Sequence, residues 1–139
     1  LIFNFRYWDL VIGISGLSGL GEGMMKLSEV ISIVDGALIT ANADLDMDIS
    51  SACGADLMSD VLTHARSGAV LLTGLTNPQV VRTAEMAEIV AIVFVRGKRP
   101  PLETILLAEE KGIPLVTTKS TMFKACGCLF QAGMNSCDV

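Results

Sequence analysis

The chain has 139 residues, 51% of them hydrophobic and 18% charged, which suits one well-buried globular domain and excludes a disordered chain. Its formal net charge of −5 excludes a general nucleic-acid binder, which needs an excess of Lys and Arg to displace phosphate counterions. No run approaches the ~18 to 20 apolar residues of a membrane span; the irregular spacing of Cys53, Cys126, Cys128 and Cys137 suits reduced thiols in a cytoplasm rather than a disulfide framework.

Residues 1–23 stand apart in composition, holding the single Trp, the single Tyr and two of the five Phe. As a secretory signal the segment is poor, because Arg6 alone makes no basic region and Gly13, Gly16 and Gly19 interrupt the apolar run. As a phosphate loop it has the glycines of G-x-x-x-x-G from Gly16 to Gly21. Glu22 and Gly23, however, stand where that chemistry places a Lys and a Ser or Thr. The remaining reading is an extension upstream of a start at Met24 or Met25, since Gly-Glu-Gly is encoded by a purine-rich run of the kind a ribosome-binding site would give. The domain is expected over residues 24–133, with a C-terminal tail over 134–139.

From Met25 onward helical and extended patterns alternate. Leu27, Val30, Ile31 and Val34 lie at helical spacing before Gly36. "ALITA" (37–41) reads as a short strand. Leu45, Met47 and Ile49 alternate with polar residues in "DLDMDISSACGA" (44–55), the period of a half-exposed strand or hairpin arm. A helix is predicted from Asp56 to about Arg66, with Leu57, Met58, Val61, Leu62 and Ala65 on one face and Gly68 beyond its end. "AVLLTG" (69–74), "VAIVFVRG" (90–97) and "IPLVTT" (113–118) are continuous apolar runs. They alternate with helices over 76–89, where Asn77 is a cap and Pro78 takes the first helical position, over 100–112, and over 119–133. Such runs suit strands covered on both faces. The expected fold is a single three-layer α/β/α domain with a small, mostly parallel, mixed sheet, the 44–55 arm being its antiparallel or edge member.

Asp56, followed by Ser59, has the placement of a helix cap that accepts orphan backbone N–H groups. His64, the only histidine, follows Asp60 by four positions, the spacing of a surface pair, and no nucleophile stands in a catalytic setting beside it. Cys126 and Cys128 would point about 200° apart on a helix, so small core side chains fit them better than metal ligands, and no metal or cofactor is expected. In open α/β sheets ligands gather at the carboxyl ends of the strands. Here those ends supply Thr73, Gly74, Thr76 and Asn77, then Arg96, Lys98 and Arg99, then Thr117, Thr118, Lys119 and Ser120. This cationic cluster on an acidic chain could hold a phosphate or other anion, or it could be solvated charge on loops.

With Asp56-Leu57-Met58-Ser59-Asp60-Val61 and Thr76-Asn77-Pro78 in view, the chain resembles the DRTGG domain family over Met25 to Gly133. The first stretch looks like the family's D-L-L-S-D-V helix start, and the second its strand-to-helix turn. The eponymous Asp-Arg-Thr-Gly-Gly is degenerate: Asp46 stands near its start, Met47 replaces the Arg, and Ser51-Ala52 replace the glycine pair. The resemblance implies a fold like the N-terminal domain of HPr kinase/phosphorylase and a regulatory, non-catalytic role. In relatives that carry CBS domains it implies a response to adenine nucleotides. Two functions are therefore expected: a self-associating sensor of an adenine nucleotide or other anion, or an oligomerisation module that docks to a separately encoded kinase or phosphotransferase.

Overall fold

Branched apolar residues form the middle of the sheet, because strands buried on both faces can carry no polar side of their own. In the computed structural model, which describes residues 24–137, these are β5 (Ala69–Thr73), β6 (Ala91–Phe94) and β7 (Leu115–Thr118). The expectations for residues 1–23, and for the last two residues of the tail, lie outside the described residues. β5 pairs parallel with β6, and β6 parallel with β7. On one side of β5 lies β4 (Ser51–Gly54), also parallel; on the far side of β7 lies β2 (Gly36–Leu38), antiparallel. The strand order is thus β2-β7-β6-β5-β4.

The "DLDMDISSACGA" arm divides. Its first part is β3 (Asp48–Ile49), which pairs antiparallel with β1 (Met25–Lys26) in a two-stranded ribbon outside the main sheet. Its second part, β4, is an edge strand but a parallel one, and the antiparallel member of the sheet is β2. Period-2 alternation reports burial on one face and says nothing of strand direction.

The helices are α1 (Leu27–Ile33), α2 (Met58–His64), α3 (Pro78–Met86), α4 (Leu102–Lys111) and α5 (Met122–Gln131). The parallel strands β4, β5, β6 and β7 step across the sheet in one direction, so right-handed crossovers place α2, α3 and α4 on the same face. That face is the core of Leu71, Ile92, Phe94 and Leu115 with Val61, Val80, Val81 and Ala108. On the other, Val70, Leu72, Val93 and Val116 pack with Val30 of α1 and Ala125 and Leu129 of α5. Successive residues of β5 feed opposite cores, as a strand requires. The three-layer α/β/α sandwich follows.

The helix after β4 differs from expectation. α2 begins at Met58 with Leu57 at its N-cap position and no side-chain cap, and it ends at His64 because Ala65 is already extended (φ −68°, ψ 144°). Past α5 the chain folds back onto the edge of the sheet. Gly133 turns the chain at φ +101°, and Ser136 then pairs parallel with Ala52 of β4. Ala52 N–H donates to Asn135 O at 2.9 Å, and Cys137 N–H to Ala52 O at 3.1 Å. Met134 and Cys137 are buried. This segment covers part of an edge that would otherwise present unpaired backbone groups.

Candidate functional site

The connections that leave β6 and β7 part company. The one after β6 leads to α4 on one face of the sheet, and the one after β7 leads to α5 on the other. Adjacent strands whose connections diverge leave a crevice between their carboxyl ends, the place where open α/β sheets bind ligands. Arg96, Lys98 and Arg99 come from one wall, and Lys119 and Ser120 from the other.

Backbone hydrogen bonds tie these walls together. Arg96 N–H donates to Ser120 O and Gly97 N–H to Thr118 O, both at 2.8 Å, while the Thr117 hydroxyl donates to Lys98 O at 2.8 Å. The turn that makes this possible puts Arg96 at φ +59° and Gly97 at φ +68°. For Gly97 that is free of steric cost. For Arg96 it costs of order 1–3 kcal/mol, which the crossing bonds offset.

All four cations, Arg96, Lys98, Arg99 and Lys119, are exposed, and none forms an ion pair with an acid among the described residues. The ion pairs among the described residues are Lys26–Asp48 and Lys111–Glu85, both elsewhere. Four positive charges without an ion pair among the described residues thus stand on neighbouring loops of an acidic molecule, a condition that favours anions.

The threonines play another part. Thr118 is buried, donates its hydroxyl to Val34 O at 2.6 Å and accepts Ser120 N–H at 3.2 Å. The Thr73 hydroxyl is also buried, donates to Asp56 Oδ1 at 3.0 Å and accepts Leu75 N–H at 3.2 Å. With Thr117 held by Lys98 O, these hydroxyls shape the loops. Thr76 accepts the Thr104 hydroxyl on its carbonyl at 2.8 Å, which fastens the start of α3 to α4. Asn77 stands at the N-cap of α3 with Pro78 behind it, as expected, but its side chain makes no capping bond.

Asp56 is not a cap. Its Oδ1 accepts Gly74 N–H at 2.7 Å as well as the Thr73 hydroxyl, so it fastens the end of β4 to the end of β5. Ser59 gives α2 no cap either; its carbonyl accepts the Thr63 hydroxyl at 2.8 Å. On the far side of Gly74 lies Arg96: a Cβ built on Gly74 would sit 2.6 Å from Arg96 Nη2. The guanidinium thus rests on a glycine that leaves it room, which joins the loop after β6 to the end of β5. No local spacing in the sequence marks this contact.

The other candidates are dispersed. Asp60 and His64 are exposed on α2 without forming an ion pair. Cys126 and Cys128 are half-buried on α5, and burial pushes both thiols above their usual range. No cluster among the described residues has the His, Cys, Asp or Glu needed to hold a metal. No helix among them is long and apolar enough to cross a membrane. Between β4 and α5 runs an apolar groove of about 380 Å³, flanked by Phe123 and Phe130.

No family model matches the chain, and no curated protein matches it. Its architecture does have a solved counterpart, the CBS and DRTGG domains of the regulatory region of Clostridium perfringens pyrophosphatase, complexed with the activator diadenosine tetraphosphate. The TM-score is 0.66. The fold is shared. The match covers 78% of this chain and 47% of that one at 15% identity, so the chain spans about half of the regulatory region it resembles. The mostly parallel, mixed five-stranded sheet between helical layers is consistent with a DRTGG-like domain. Likeness at this identity speaks for fold, and function has to be argued from the site.

Proposed function

We propose that this chain is a regulatory, ligand-sensing domain that binds a phosphate-bearing ligand, with adenine nucleotides as the first class to test, at the crevice between the ends of β6 and β7. The observation that carries this reading is the set of four cations, Arg96, Lys98, Arg99 and Lys119, without an ion pair among the described residues, on the loops where the connections diverge. The structural counterpart was solved with diadenosine tetraphosphate, which makes a polyphosphate a sensible ligand class. Charge reaches such a ligand from two loops already fixed to one another, so little ordering accompanies binding. In this reading the domain acts in the cytoplasm by reporting ligand occupancy to a partner or to a second copy, and carries out no chemistry.

Isothermal titration with ATP, diadenosine tetraphosphate and inorganic pyrophosphate tests it. Saturable binding is expected, weakened about tenfold or more, ~1.4 kcal/mol, by Lys98→Glu with Lys119→Glu. Absence of binding by the parent protein to all three contradicts the reading.

A second reading has its own support. Phe123 and Phe130 of α5 are 89% and 72% exposed, an apolar display suited to protein contact. In that reading the chain is an interaction or oligomerisation module that docks to a separately encoded kinase or phosphotransferase and takes no small ligand. Native mass spectrometry separates the two: assembly that is indifferent to nucleotide and abolished by Phe123→Ser favours docking.

A further inference from the structure

Two of the four cysteines are register partners. Ala52 pairs with Ser136 in parallel, so the next step along both chains sets Cys53 opposite Cys137. The flanking bonds, Ala52 N–H to Asn135 O and Cys137 N–H to Ala52 O, fix that register from both sides. Parallel partners point to the same face of a sheet. Both side chains accordingly join the core that holds Leu71 and Val61. The Cys137 sulfur lies 3.7 Å from the Ser51 hydroxyl, and Ser51 is two residues before Cys53 on the same face of β4.

Adjacent strands run about 4.8 Å apart, within the ~4.4 to 6.8 Å that a disulfide spans between Cα atoms. The other two cysteines are placed differently. Cys126 approaches the sheet from the opposite face, where its Sγ would lie 2.7 Å from a Cβ on Gly54. Cys128 is on the same helix.

We infer that Cys53 and Cys137 are a site of oxidative modification, a thiol pair that closes into an intramolecular disulfide and clasps the C-terminal segment onto the β4 edge. In the step, two S–H bonds break and one S–S bond forms. A peroxide takes up the two electrons and two protons and leaves as two molecules of water. In the reduced protein all four thiols are free, and the segment is held by its backbone bonds and by burial of Met134 and Cys137. Closing the disulfide makes that attachment covalent. Because Met134, Asn135 and Ser136 line the apolar groove together with Ala52, Cys53 and Gly54, oxidation fixes one wall of the groove.

Reactivity is modest by design of the site. Burial first, and the adjacent Cys137 after it, push the Cys53 thiol up to about 12, so the thiolate that attacks is scarce at neutral pH. Closure is expected to be slow and to wait on fraying of the last residues, while a closed disulfide is shielded from reductant.

The test is to treat the full chain with hydrogen peroxide, alkylate the remaining thiols, and map peptides without reduction. The expected result is a monomer lighter by two hydrogens, a Cys53–Cys137 cross-linked peptide, and alkylated Cys126 and Cys128. Hydrogen exchange at the Cys137 amide should slow on oxidation, and Cys137→Ser should abolish both the cross-link and the slowing. Cross-links through Cys126 or Cys128 while Cys53 and Cys137 stay alkylatable, or only intermolecular disulfides, would overturn the inference. So would a cross-link that leaves exchange at Cys137 unchanged.

Discussion

Asp56 accepts two hydrogen bonds from residues 17 and 18 positions away, and bonds to a charged group are among the stronger ones. Asp56→Ala is expected to cost about 1–3 kcal/mol and Asp56→Asn less, because the amide oxygen still accepts Gly74 N–H; urea unfolding checks both. Gly74→Ala should separate stability from binding. The added Cβ meets the far end of the Arg96 side chain, which can swing away, so the change should cost less than ~1 kcal/mol yet weaken anion binding by displacing the guanidinium. Cys53 gives a pH signature. Its thiol is raised from 9.0 to about 12 in the folded state, so the unfolded chain loses its proton first. Stability is fully present below pH 9, declines as pH rises from about 9 toward 12, and Cys53→Ser should remove that part of the decline in a melting series. The role of Asp56 was not legible in the sequence. A carboxylate one residue before an apolar helical pattern has the signature of a cap, and nothing local reveals that its partners lie across β4 and β5.

Among elements, the central strands and the helices between them were the most legible, because continuous Val, Ile, Leu and Ala runs have one structural use and Pro78 and Gly112 punctuate the helices. Gly112 closes α4 in the left-handed conformation at φ +70°, where glycine is the residue without penalty. The edges were harder to read. β2 and β3 are only three and two residues long, so the extended pattern read over 37–41 and 44–55 left their partners open, and these are set by tertiary packing. The C-terminal segment has no strand pattern at all and pairs because β4 offers it an open edge. These differences predict unequal mutational costs. Leu72→Ala, at a fully buried position of β5, should cost about 2–5 kcal/mol. Phe123→Ser on α5, 89% exposed, should stay within about 0.5 kcal/mol, as measured by chemical denaturation.

For the molecule as a whole, the order of the four parallel strands decides where neighbouring connections diverge. Three crossovers land on one face, and after β6 and β7 the connections separate, so the place proposed for the ligand follows from topology. The sequence made the strand ends visible but not which pair of ends meets, since that depends on α5 crossing to the other face. Electrostatic binding there should weaken with ionic strength, as exposed charges are screened beyond about 8–10 Å at physiological salt. Affinity for ATP is therefore expected to fall when salt is raised and to fall less steeply in the Lys98→Glu, Lys119→Glu protein. The most direct test is an amide-shift titration of the isotope-labelled chain with ATP. The largest shifts are expected on residues 96–99 and 117–120, with Gly74 following through Arg96. Shifts centred instead on the β4–α5 groove, or no saturable shifts anywhere, would contradict the proposed site.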